Sequence, residues 1–555
     1  MKRLLHITKL YLILLSLSMS IIAQEKYNIL WLSCEDIGPI MSCYGAEGIE
    51  TPNIDRLAEE GILFSKAYST VGVCAPSRSS IITGMYPISI GSHNMRTGNH
   101  WGYHSPEEES YKDYIEVKDK TGRNVPQYSV VPPSYVKCFT EYLREANYFC
   151  TNNAKCDYQF NCPITAWDEV GNKAHYKNRN DNQPFFAVFN HGITHESQIW
   201  KKKDEALTVD TSNVPIPAYF ANTTQVRQDV GRKYSNIQEL DAQIGDWYKK
   251  LEEENLLDKT IIFFWSDHGG PLLRQKRALS NSGLHVPLIV RMPNKAMAGT
   301  IVDDIVSLMD LGPTALSMAG IKPPTYMHGK AFLGEYKDNK GHRYAFGSAD
   351  RFDEHTDMSR SVIDGRYVYI RNFMPELPLT YRLRYREQID MTKELLALNK
   401  ENKLSGDAAY IFMPTKPLEE LYDLKHDPDE VNNLANDPKH REKLIELRTA
   451  LAAWQLEVGD MGFIPEHDLV QMMWPGGIQP MTETVQFNPQ RKGKLEMLCA
   501  TKGASIAYQK GDEIGSERWS LYHEAITIEK NEKVQARAVR LGYATSKVSK
   551  YNSAR

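Results

Sequence analysis

Three short apolar runs, each ending in polar residues, constrain this chain more than any other feature. They are residues 27–33 (YNILWLS), 185–189 and 261–265. Each has the length of a strand, and its unbroken apolar character predicts burial on both faces. Helical patterns lie between them. Thr51-Pro52 opens one, with Thr as N-cap and Pro at the first helical position, Ile54, Leu57 and Ala58 on one face, and Gly61 at its close. Residues 239–254 form another, with Leu240, Ile244, Trp247 and Leu251 at helical spacing. Strands alternating with helices imply an α/β fold with a mixed or parallel sheet covered on both faces. In such sheets ligands gather beyond the carboxyl ends of the strands.

The residues just past each run are chemically loaded. The first run ends in Glu35-Asp36, the second in Asn190-His191 with His195 four residues on, the third in Asp267-His268 before Gly269-Gly270. Three carboxylates and an imidazole converging at one sheet edge suit a hard divalent cation such as calcium. Either acid pair alone also fits a strand-end turn with solvated carboxylates. Between the runs lies Cys74-Ala75-Pro76-Ser77-Arg78, continuing SSIITG to Gly84. It predicts a helix that Gly84 ends, with Cys74 at the N-terminus, where the macrodipole favours negative charge. Arg78 then lies one turn on, on the same face. A cysteine so placed reads as a nucleophile of lowered pKa, or alternatively as a packed structural thiol.

At 555 residues, two or more domains are expected. A hydrophobic share of 41% with 25% charged residues excludes a disordered chain and a multi-span membrane protein. With 66 basic against 70 acidic side chains, no basic excess is available for nucleic acid. Eight cysteines are too few for a disulfide scaffold, and their pairing cannot be read from order. Residues 1–23 carry Lys2, Arg3 and Lys9, then an apolar run from Leu10 to Ala23. That run is shorter than the ~20 residues of a membrane span and reads as a signal peptide, so an exported, periplasmic or secreted protein is expected. The composition shifts near residue 375 and again near 490. The expected division is a catalytic domain over 24–375, a smaller C-terminal α+β subdomain over 376–475, and a small all-β module over 490–555.

The pattern C-x-P-S-R followed by T-G resembles the signature of the formylglycine-dependent sulfatases. NILWLSCED, CYG and TPNIDRLAEEG resemble that family's first metal segment, and FFWSDHGG with GLHVPLIVRMP its second. VSLMDLGPTALSMAGI and LYDLKHDPDEVNNLA resemble its later landmarks. The resemblance covers roughly residues 26–455. It implies an alkaline-phosphatase-like fold, with a large mixed central sheet flanked by helices. The terminal segment resembles, more weakly, small β-sandwich modules of carbohydrate-active enzymes.

Carried over by position, the resemblance implies that a maturation enzyme converts Cys74 to formylglycine (3-oxoalanine), whose hydrate attacks the sulfur of a sulfate ester. Glu35, Asp36, Asp267 and His268, with the modified residue 74, match the ligands of one Ca2+. Arg78 matches the group that holds the hydrate's charge, and Lys155 and Lys276 the lysines on the sulfate. His195 matches a histidine at the sulfate or bridging oxygen. Either His195 or Lys276 protonates the leaving alcohol. His93, Arg96 and Arg351 become candidates for contact with an anionic sugar. The chain departs from the family pattern at Glu35, where Asp is usual, at Asp157, where His is common, and at His285, where Arg is common. The implied substrate is a sulfated polysaccharide or its oligosaccharides, algal such as ulvan or a glycosaminoglycan such as heparan. Two other readings stay open: a formylglycine-dependent phosphodiesterase or phosphonate hydrolase, and a non-catalytic glycan-binding relative.

Overall fold

The structure, a computed structural model, describes residues 26–95 and 117–553. The expected signal peptide at 1–23 and the candidate Arg96 lie outside the described residues. The strands β1 (Asn28–Cys34), β2 (Ile62–Phe64), β3 (Phe149–Asn153), β4 (Glu169–Val170), β5 (Phe185–His191), β6 (Thr260–Ser266), β7 (Leu288–Arg291) and β8 (Thr300–Val302) form one 8-stranded sheet. Their order is β8-β2-β7-β6-β1-β5-β3-β4. β1 runs parallel to both β5 and β6. β7 runs antiparallel to β2 and β6, which makes the sheet mixed.

The three apolar runs are the three central strands. Cys34 lies opposite His191 on one side and Ser266 on the other. The residues after each strand therefore leave from one edge of the sheet. Both faces of β1 are buried: Leu30 and Leu32 pack with one cluster, Ile29 and Trp31 with another. That explains the run without alternation. Each fully buried Leu, Ile or Phe adds roughly 1.5–3 kcal/mol of hydrophobic stabilisation.

Helix α1 (Pro52–Glu59) packs on the first cluster through Ile54 and Leu57. Its capping differs from the expectation. The Thr51 hydroxyl bonds Asp55, and the first free amides, Asn53 and Ile54, instead donate to Asp241 Oδ1 at 3.0 and 2.8 Å. The second helix, α2 (Cys74–Thr83), is buried at all ten positions and ends at Gly84, as expected. The third, α3 (Thr224–Glu253), holds Asp241 and is 30 residues long. It starts well before the expected 239, at a Thr223 cap whose hydroxyl accepts from the Val226 amide. Its first half carries Val226, Val230, Tyr234 and Ile237 in phase with the expected stripe, and it also buries Asp229, Arg232, Lys233 and Asn236 among them.

A 4-stranded antiparallel sheet joins Ala345–Ala349, Ser359–Ile363, Tyr367–Asn372 and Glu419–Asp423. Leu444, Leu447, Leu451 and Trp454 of the helix Arg441–Val458 cover it. This sheet spans the division expected at 375/376. The change in composition there marks the long excursion between its last two strands.

The terminal segment holds two small sheets that share Met497, Ile506, Ala536 and Ala538 as core, which gives it a sandwich-like build. Its first strand, Gln486–Gln490, begins ahead of residue 490. Ser505 Oγ donates to Glu141 at 2.6 Å, and Arg144 donates to the Trp519 carbonyl at 2.6 Å, seating it on the larger unit. Among the described residues, no helix is long and apolar enough to cross a membrane.

Candidate active site

Cys74 opens α2, after an extended Val73. Pro76, the third helical residue, lacks an amide hydrogen where none is needed. One turn on, Arg78 donates from Nε to Asp267 Oδ2 at 3.1 Å and from Nη1 to Asn190 Oδ1 at 2.8 Å. Glu35 Oε1 lies 3.7 Å from its Nη2. Arg78 thus links the ends of all three central strands.

Asp36 takes a left-handed backbone (φ 57), a conformation Asp tolerates better than most residues. This turn aims its carboxylate inward. Oδ2 accepts from the Lys276 ammonium at 2.6 Å and from the Glu196 amide at 2.7 Å. Oδ1 lies 3.1 Å from His268 Nε2. His268 Nδ1 bonds the Gly269 carbonyl at 3.0 Å, which turns Nε2 into the site, 3.3 Å from Cys74 Sγ. Gly269 is needed where it stands: a Cβ there would meet the Ser282 carbonyl at 2.1 Å.

Two lysines flank the thiol. Lys155 Nζ lies 2.8 Å from Glu35 Oε2 and 3.4 Å from Asp157. Its neighbour Cys156 is disulfide-bonded to Cys162. Lys276 Nζ lies 3.4 Å from His195 Nε2. The Ser197 amide donates to His195 Nδ1 at 3.2 Å, which turns Nε2 toward the site.

Burial works against charge throughout, and the partners overcome it. Burial pushes the Cys74 thiol up, yet Lys155 and Lys276 outweigh it and bring it down to about 7. Burial lowers the His268 imidazolium, but Asp267, Cys74 and Asp36 push it up to about 10. Burial raises Asp36, and Lys276, His195 and His268 hold it well below the usual carboxylate range.

The donor set fits a cation. One ligand atom from each of Asp36, Cys74, Asp267 and His268 lies within 4.8 Å of the others, and an overlapping group joins Glu35, Asp36, Cys74 and His195. Carboxylate oxygens with one imidazole suit a hard divalent ion.

All of Glu35, Asp36, Cys74, Arg78, Lys155, His195, Asp267, His268 and Lys276 converge here. His93 and Arg351 do not. His93 is buried beside Asp350 and Arg360. Arg351 grips both carboxylate oxygens of Glu466, at 2.5 and 2.8 Å, and the Asp353 carbonyl at 2.7 Å. Among the described residues neither bonds any of the converging groups. Sequence reasoning missed Glu196 and Arg277. Glu196 Oε1 lies 3.0 Å from Lys276 Nζ, and its two oxygens take Arg277 at 2.9 and 3.0 Å. Their adjacency to His195 and Lys276 was the available signal. His285 stacks on Tyr68 and bonds the Ser65 carbonyl at 2.8 Å, a structural role.

Comparison with known proteins agrees with this geometry. The family model Sulfatase matches residues 27–321. An ulvan-active sulfatase of Formosa agariphila is 41% identical over 563 residues, covering 94% of this chain and 91% of the relative. The N-sulphoglucosamine sulphohydrolase of Homo sapiens is 24% identical over 471 residues, 78% of this chain and 90% of the relative. A solved 2-O GAG sulfatase shares the fold with a TM-score of 0.55 at 19% identity, covering 79% of this chain and 93% of its own. The matched residues contain the cysteine helix, both acid pairs and both lysines, and the chain therefore belongs to the sulfatase family of sulfuric ester hydrolases.

Proposed function

We propose that this chain removes sulfate from a sulfated polysaccharide or its oligosaccharides, with ulvan as the leading substrate. We further propose that residue 74 acts as formylglycine, that one Ca2+ is held by Glu35, Asp36, Asp267 and His268 together with residue 74, and that the protein is exported through residues 1–23. The observation that carries the reading is Cys74 at a buried helix start, with Lys155, Lys276 and Arg78 around it and carboxylates behind them. The ulvan preference rests on the 41% identity that extends over 94% of the chain.

Formylglycine would supply an oxygen nucleophile, and calcium would orient and polarise a sulfate oxygen. The chain's own residues do the rest. Lys155 and Lys276 bind the sulfate oxygens and offset charge that grows there in the transition state. Arg78, fixed by Asp267 and Asn190, steadies negative charge on residue 74. Of the two candidates for leaving-group acid, His195 is favoured, because Lys276 is held as an ammonium by Asp36 and Glu196 and serves the sulfate.

The test is sulfate release from ulvan oligosaccharides and from heparan oligosaccharides, by protein co-expressed with a formylglycine-generating enzyme. Release by the wild type that is lost in Cys74→Ala is expected. No release from any sulfated saccharide would overturn the reading.

A further inference from the structure

A cavity of about 90 Å3 lies beside the candidate active site, between residues 274–280 and the antiparallel sheet. Lys276 lines it, as do Arg274, Tyr381, Arg386, Lys416 and the carboxylates Asp357 and Glu420, the last of which accepts from Asn372 and Tyr422. The segment carrying Arg386 also borders the site, since the Tyr385 ring stands edge-on to His195 with centroids 6.2 Å apart.

The cations around this cavity differ in how they are neutralised. Lys276 is paired with Asp36 and Glu196. Arg277 is paired with Glu196 and Asp353. Lys416 is paired with Asp357. Arg386 is 4% exposed, donates from Nη2 to the Tyr381 carbonyl, and leaves Nε without a hydrogen-bond partner. Among the described residues no carboxylate lies within ion-pair distance of it. A guanidinium cannot shed its proton at physiological pH, so a buried one without an acid partner is costly. An anion entering the cavity would remove that cost.

We propose that Arg386 forms an anion subsite adjoining Lys276, which takes a second anionic group of the saccharide while its sulfate ester occupies the catalytic site. The proposal rests on the sulfatase reading above. The group is a planar carboxylate of a uronic acid or a second sulfate, since both match the forked donors of arginine. Burial holds the Arg386 guanidinium below its ordinary range although Tyr381, Glu196 and Glu387 act the other way, so the geometry alone carries the proposal.

The experiment uses the mature full-length enzyme and two pairs of oligosaccharides. The first pair differs only in a uronic carboxylate or its methyl ester. The second differs only in a second sulfate or a free hydroxyl. KM and kcat are measured separately for wild type, Arg386→Met and Arg386→Lys. In the wild type, one pair is expected to show at least a ten-fold lower KM for the charged member, which identifies the anion. That preference should fall by about ten-fold in Arg386→Met and be partly restored in Arg386→Lys. If both pairs give equal KM in the wild type, or if the preference persists undiminished in the Met variant, the proposal is overturned. Should Arg386→Met fail to fold, the wild-type comparison and Arg386→Lys decide it. Absence of any sulfate release by the wild type would instead sink the sulfatase reading itself.

Discussion

Glu196 lies 3.0 Å from the Lys276 ammonium, and both residues are almost fully buried. The same carboxylate clamps Arg277, so a single acid positions two cations at the wall of the site. Burial raises Glu196, but Arg277 and Lys276 outweigh it and hold it down at about 2. Replacing Glu196 by Gln keeps the shape and removes the charge. Breaking a buried ion pair on one side costs about 3–5 kcal/mol. Glu196→Gln should therefore unfold at lower urea and lose at least ten-fold in kcat as Lys276 drifts. An unchanged midpoint with unchanged kcat would refute this role.

His195 and Lys276 separate through the leaving group. If His195 Nε2 delivers the proton, His195→Ala should lower kcat on a sugar sulfate by about 10²-fold or more. It should affect 4-nitrophenyl sulfate far less, because that alcohol leaves without protonation. Lys276→Ala should depress both, since it acts on the sulfate itself. The check is the ratio of rates on the two substrates for each variant.

Calcium can be tested without turnover. A ligand that binds only the folded state stabilises it by mass action, about 2.7 kcal/mol at 100 times its Kd. EGTA treatment should lower the Tm and adding Ca2+ should restore it. Asp36→Asn or Asp267→Asn should abolish that shift. A Tm that ignores both EGTA and Ca2+ would contradict the assigned metal site.

Acid stability should carry a signature from Glu60, far from the chemistry. Burial raises this carboxyl, but Arg291, Arg56 and Lys295 hold it at about 2, against an ordinary 4.5. The Arg291 contact is 3.0 Å, with the guanidinium fully buried. A depressed acid stabilises the fold above its unfolded value and loses that contribution as pH falls through its folded one. Stability should thus decline between about pH 4.5 and 2, and Glu60→Gln should flatten that decline while lowering stability at pH 7. Denaturation midpoints across this range are the measurement.

Much of this site could be read in the chain because parallel strands put their carboxyl ends side by side. The runs ending at Glu35-Asp36, Asn190-His191 and Asp267-His268 become neighbours through the shared register at Cys34. The cysteine helix was legible too, because its cues are local: Pro76 near the start and Gly84 at the end. The features that escaped are long-range. Nothing near Thr51 announces that Asp241 caps α1 from 187 residues away. Glu196 looks like any loop acid until folding places Lys276 and Arg277 against it. Arg351 looks like a surface cation until Glu466 is seen beside it. The antiparallel β7 is as apolar as its parallel neighbours, so its direction left no trace in the pattern.

Everything proposed for the chemistry turns on residue 74 working as something other than cysteine. The decisive observation is the mass of the peptide spanning residue 74, taken from a preparation whose sulfate release has been measured. An aldehyde is expected at residue 74, in a fraction that tracks the specific activity across preparations. An intact thiol at residue 74 in fully active protein would contradict it.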